Sequence, residues 1–287
     1  MVIQSPPGWG WDQLQHAVHE IGAAKPEEYW GEGVAADTVP EVRRIGVADL
    51  RDALMRGLDD FESNRTDVIF LCVIYPVIGL ILGRLASGYG LIPLIFPLAS
   101  GFALIGPFAA VGLNEISRRR EKGSATSWLD AFGVLRSPSI GAIMLLGLML
   151  IAIFMLWLVV AQIIYEVTLG PAPPASVMDF AREVFTTGAG WMMIVVGVGV
   201  GFLFAVVTLA ISVVSFPLLL DRDAGIGTAV TTSMHAVAAN PGTMALWGLF
   251  VACGLVLGSI PLFVGLVVIL PVLGHATWHL YRRVVPH

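Results

Sequence analysis

The chain has 287 residues, 56% of them hydrophobic and 13% charged, with a mean hydropathy of +0.82 and a formal net charge of -5. A soluble domain is about 45–50% apolar and about 25% charged, so this composition leaves too little polar surface to cover a water-soluble globule and makes lipid the natural solvent. It also speaks against a nucleic-acid partner, because no basic surface is present beyond one run of three arginines, Arg118 to Arg120.

Charge is concentrated at the start. Residues 1–67 hold thirteen of the 21 acidic residues and six of the 16 basic ones. The first 46 residues are read as a disordered, acidic, tryptophan-bearing arm in the cytoplasm. They lack the apolar core that a secretory signal needs, so membrane targeting is expected from the first internal apolar helix. Residues 47–287 are read as an all-α membrane domain.

A helix that crosses the hydrocarbon core needs about 20 mainly apolar residues. Six segments qualify, at about 67–86, 91–113, 139–168, 190–220, 243–258 and 262–284. SGYG at 87–90 and SIP at 259–261 are tight turns, which makes the first and last pairs hairpins. Lys25, Arg43, Arg44, Arg51, Arg56, Arg65, Arg118, Arg119, Arg120, Lys122, Arg136, Arg222, Arg282 and Arg283 fall on one side, and only Arg84 and Arg182 on the other. The positive-inside rule then puts both termini in the cytoplasm. Cys72 and Cys253 lie inside apolar runs without companions and read as small packing residues.

The segments between spans have helical periodicity. Residues 47–61 place Val47, Leu50, Leu54, Leu58 and Phe61 on one stripe; 127–136 place Trp128, Phe132 and Leu135 on one face; 226–238 stripe Ile226, Val230, Met234 and Val237. Each ends at a breaker, Asn64, Ser137-Pro138 or Asn240-Pro241-Gly242. With no soluble core to enter, these stripes are expected to lie in the headgroup layer. Three units follow, each an interfacial helix and a hairpin, whose second spans carry Pro107, Pro217 and Pro271. In the long loop of the middle unit, 176–185 form a short amphipathic helix with Val177, Phe180, Ala181 and Val184 on one side, read as a cover over the outer helix ends, with a lid or a site for a periplasmic partner as alternatives.

Ionisable groups at membrane depth are costly and become functional candidates. On the outer side, Arg84 and Glu166 lie at similar depth and form a candidate ion pair. On the cytoplasmic side, Asn114 and Glu115, Asp221, and His275 with His279 end the three even-numbered spans and form a candidate ligand-binding set. If these ends converge, Asn114 or Glu115 should reach His275 or His279. Histidines at i, i+4 share a helix face and suit a metal, a haem, an interhelical hydrogen bond or proton handling. No third ligand stands at motif spacing, so no metal or cofactor is assigned and hydrogen bonding is the preferred reading. Trp278 and Tyr281 are read as aromatic-belt residues. Gly197 and Gly201 form a small-xxx-small step expected to pack against a neighbouring helix.

The stretches VRRIGVADLRDALMRGLDDF, YPVIGLILGRLASGY, LIFPLASGFALIGPFAAVGLNEISRRRE, SVVSFPLLLDRD and LPVLGHATWHLYRRVV together resemble a bacterial family of predicted integral membrane proteins catalogued as domain of unknown function 2189. The resemblance covers about residues 40–285. It implies a six-helix inner-membrane protein and no particular activity. Three classes of function are weighed. The residues favour a non-enzymatic scaffold or accessory protein that contacts lipid or a larger membrane complex. The alternative is a transporter or channel for a small apolar or amphiphilic molecule, which should show a cavity near the midplane. A membrane enzyme would have to build its site from Glu115, Asp221, His275 and His279.

Overall fold

The computed structural model describes residues 39–63, 91–124 and 126–286, together with positions 77, 80, 81 and 84. The span expected at 67–86 and most of the arm therefore lie outside the described residues. The regular elements described are helical. They are α1 (Val47–Ser63), a 3-10 turn (Ile92–Leu94), α2 (Ile95–Ala109), α3 (Val111–Glu121), a 3-10 segment (Trp128–Arg136), α4 (Ile140–Thr168), α5 (Val177–Thr186), α6 (Gly188–Ser212), α7 (Ser215–Asp221), α8 (Ile226–Ala239), α9 (Pro241–Ser259) and α10 (Leu266–Val284).

Among the described residues, four helices are long and apolar enough to cross a membrane: Ile92–Glu121, Ile140–Thr168, Gly188–Asp221 and Pro241–Ser259. At about 1.5 Å per residue, the 29 residues of α4 exceed the roughly 30 Å hydrocarbon thickness. The sixth expected span, α10, is uninterruptedly apolar only as far as Leu273; from His275 onward it carries two histidines and two arginines and is largely covered by the rest of the protein.

Proline decides where the third of these helices breaks. Pro217 has no N–H to offer the carbonyl of Val213, so α6 ends at Ser212 and α7 restarts at Ser215. The backbone N–H at Val214 donates to Ser233 Oγ of α8 at 3.2 Å, and Ser215 Oγ, 2.6 Å from the Ile211 carbonyl, also lies 3.0 Å from the Ala229 carbonyl of α8.

That contact changes the reading of α8. Its buried face is Ala229, Thr232, Ser233 and Ala236, while Met234 of the expected stripe is 51% exposed. α1 is rotated in the same sense. Leu50, Ala53, Gly57, Asp60 and Phe61 are buried, whereas Val47 is 63% exposed. Both helices dock on protein rather than lying apolar side down in lipid, and close helix-to-helix approach selects small residues over large ones. At the contact of α1 with α10, a Cβ on Gly57 would sit 2.6 Å from the backbone nitrogen of Ala276. Gly57→Val should therefore destabilise the protein by about 1–3 kcal/mol, as overpacking does, read as a shift in the midpoint of unfolding by sodium dodecyl sulfate in mixed micelles. The 3-10 segment leaves Leu129, Phe132 and Leu135 open, each at 51–60% exposure. It begins with a capping box between Ser127 and Asp130.

The packed region starts ahead of α1. Arg43 N–H donates to the Val284 carbonyl at 2.8 Å, and Ile45 N–H to Asn240 Oδ1 at 2.7 Å. Asn240 Nδ2 in turn donates to the Arg43 carbonyl at 3.0 Å. The breaker between α8 and α9 is thus also the clasp for residues 43–45. Cys253, expected to be buried, is exposed on α9.

Candidate functional site

The ends of α1, α3, α7 and α10 meet at the arginine-bearing face. Most of the expected ligand-binding residues come together there, though not with the partners their order suggested.

Asp60 of α1 is the hub. Its Oδ2 accepts from Ser117 Oγ of α3 at 2.6 Å and from His279 Nε2 of α10 at 2.8 Å, and its Oδ1 accepts from Arg120. Arg120 also reaches Asp59 at 2.9 Å. Ser117 Oγ lies 2.8 Å from His275 Nδ1. A hydroxyl has one proton, and the carboxylate takes it, so His275 Nδ1–H donates to Ser117. His275 Nε2 is left as an acceptor, fully buried and without a hydrogen-bond partner among the described residues.

This is not the expected pairing. Glu115 turns away from both histidines and binds Arg118 Nε and Arg119 Nε, each at 2.7 Å, while Arg119 continues to Asp130 at 2.6 Å. Helix geometry explains it: Arg118 and Arg119 follow Glu115 at i+3 and i+4 on its own side of α3, and Ser117 points to α10 instead. Gly133 makes room for the second arginine, since a Cβ there would lie 2.4 Å from Arg119 Nη2. Asn114 is buried, and its Oδ1 has no hydrogen-bond partner among the described residues.

Asp221 belongs to a second set. It accepts from Tyr281 Oη at 2.6 Å and lies 3.6 Å from Arg282 Nη1 and 4.0 Å from Arg222 Nε. Glu121 accepts from Trp278 Nε1 at 2.9 Å and Arg282 Nε at 3.0 Å. Trp278 and Tyr281 are therefore not belt residues. They are 1% and 0% exposed, because α10 is covered at this end by α1, α3 and α7.

Asp60, Ser117, Arg120 and Glu121 were not singled out by the sequence. The available signal was the α1 register: Ala53, Gly57 and Asp60, at helical spacing, put a carboxylate on the small-residue stripe. At the opposite face, Glu166 accepts from Gln162 of its own helix at 2.8 Å, and no ion pair joins it to Arg84 among the described residues.

Burial pushes the Asp60 carboxyl up, but the hydrogen bonds from His279 and Ser117 and the charge of the two histidines outweigh it, so it is held below its ordinary value of 3.8. A depressed carboxyl stabilises the fold in full above 3.8, and that contribution is lost as pH falls through the folded-state value. The unfolding midpoint should therefore drop on acidification from about pH 7 to about pH 3, and Asp60→Asn should flatten that slope.

Chemically, the arrangement ties helices together. Ser117 stands between Asp60 and His275 rather than at the end of a relay, and it is 1% exposed. No group of three or more His, Cys, Asp or Glu could hold a metal ion among the described residues.

Residues 95–221 match the family model described as "Predicted integral membrane protein (DUF2189)". That stretch runs from α2 to α7, so α1 and α10, which supply Asp60 and both histidines, lie outside the matched segment. No curated protein and no solved structure matches the chain.

Proposed function

We propose, on the premise that residues 95–221 belong to the DUF2189 family of predicted integral membrane proteins, that this chain is a non-enzymatic scaffold or accessory protein of a bacterial inner membrane. In this reading it has six spans in three helix-plus-hairpin units, and its arginine-bearing end and both termini are in the cytoplasm. It contacts membrane lipid and a larger membrane complex.

One observation carries this reading. Glu115, Asp221 and His279 are engaged in internal ion pairs and hydrogen bonds, with Asp60, Ser117 and Glu121 among their neighbours, that clamp α1, α3, α7 and α10. Phe216, Leu218, Leu219 and Leu220 of α7 fill the space beside them at 0–1% exposure. An acid–base pair needs reach to a substrate, and here the groups face one another. The carrier reading draws support from an apolar cavity between α2, α4, α5 and α6. That cavity lies in the half away from Arg118–Arg120 and Arg282–Arg283, not at the midplane, which favours a static binding role over passage.

The test is isolation of the protein in copolymer discs cut from native membrane, followed by quantitative mass spectrometry. A stoichiometric protein partner is the expected result; the chain recovered alone in repeated preparations would overturn the reading. Protease protection of terminal tags in sealed vesicles checks the orientation.

A further inference from the structure

Far from Arg118–Arg120 and Arg282–Arg283, α2, α4, α5 and α6 line a cavity of about 420 Å³. This volume is within the ~300–1,000 Å³ range of ligand pockets. The cavity is open on one side, with Phe96 and Val198 exposed at its edge, so it is filled by whatever apolar molecule surrounds the helices.

Four observations define what fits. The walls are apolar, with Ile164, Phe180, Val184, Met193 and Ile194 among them. The side-chain donors at the rim are already used, Trp157 Nε1 by Ser100 Oγ at 2.9 Å and Tyr165 Oη by the Ala172 carbonyl, so neither is left free to donate to a polar ligand. Gly197 lines it and, among the described residues, has nothing within 4 Å of where a Cβ would stand, whereas one turn on, a Cβ at Gly201 would meet the Trp157 ring at 3.1 Å. The small-residue step thus packs a helix only at Gly201, and Gly197 keeps space open. Finally, α5 roofs the cavity with Val177, Phe180, Ala181 and Val184 inward and exposes Asp179, Arg182 and Glu183 on its other side.

We infer that this cavity holds an acyl chain of a zwitterionic phospholipid whose headgroup lies beside α5. α4 and α6 are membrane-spanning in length and composition, so acyl chains are the apolar molecules present at this depth. The mixed charges of α5 complement a headgroup bearing both signs better than an anionic one. This site is independent of whether the protein has a protein partner.

The test uses the full chain in phosphatidylcholine vesicles doped with phosphatidylcholine that carries a photoactivatable diazirine within one acyl chain. After irradiation, adducts are mapped by mass spectrometry. Adducts should concentrate on Ile164, Met193 and Ile194 over the exposed lipid-facing positions Val195 and Phe202. Gly197→Leu, which fills the open space, should lower cavity adducts by at least roughly fivefold, corresponding to about 1 kcal/mol of lost affinity, and leave those on Val195 and Phe202 unchanged. Ala181→Leu fills the cavity from the roof and replaces the first variant should that one fail to fold. Even labelling of cavity and lipid-facing positions, or cavity labelling unchanged by the folded variant, overturns the inference. So does stronger cavity labelling by the corresponding phosphatidylglycerol probe.

Discussion

Asp60→Ala is expected to cost about 3–5 kcal/mol, the range for removing one partner of a buried ion pair. The substitution leaves Ser117 and His279 without their shared acceptor, at positions 1% and 12% exposed, and deprives Arg120 of its buried partner. Arg120 keeps Asp59, but that carboxylate is 70% exposed and contributes little. The loss should be local as well as global. α1 reaches the bundle through Gly57, Phe61 and this hub, so hydrogen exchange in Val47–Ser63 should accelerate more than in α4 or α6. Asp60→Asn keeps the shape and one acceptor and should fall between wild type and alanine. A double-mutant cycle with His279→Ala would isolate the Asp60–His279 contribution. Equal protection of α1 in wild type and Asp60→Ala would show that the hub does not hold it.

Trp278→Ala should have an effect of similar size, about 3–5 kcal/mol, as for other large-to-small changes in a packed interior. Trp278 is 1% exposed and its ring lies 5.6 Å from that of Tyr281. Alanine would open a cavity between α10 and α3 and remove the donor to Glu121. Trp278→Phe keeps one aromatic ring but gives up the hydrogen bond and part of the packing, so a smaller loss, about 1–3 kcal/mol, is expected, with Glu121 still held by Arg282 at 3.0 Å. A belt residue would tolerate both changes, because its ring would rest in the headgroup layer. The midpoint of unfolding in mixed micelles decides between the two accounts.

Composition and periodicity were enough to show an all-helical membrane protein, and helices at 47–61, 176–185 and 226–238 were legible within a residue or two of α1, α5 and α8. These features are local: hydropathy over about 20 residues fixes the solvent, and breakers such as Asn240-Pro241 fix helix ends whatever surrounds them. The inward face of α5, with Val177, Phe180, Ala181 and Val184, was legible for the same reason.

Which face of a docked helix turns inward was decided by its neighbour. A large apolar stripe predicts burial against lipid, but α10 approaches α1 so closely that Ala53 and Gly57 join Leu50 and Phe61 on the buried face while Val47 and Leu58 are left exposed. The same approach carries Asp60 from an apparently solvated surface into the centre of a polar cluster. The sequence by itself determined the solvent, the helices and the face on which the charged groups gather. Only the tertiary structure decided that His275 meets Ser117, that His279 meets Asp60, and that Glu115 spends its charge on its own helix. Those pairings join residues separated by 158, 219 and 3 positions, and the long-range ones are set by how far one helix rotates against another, which no local pattern encodes.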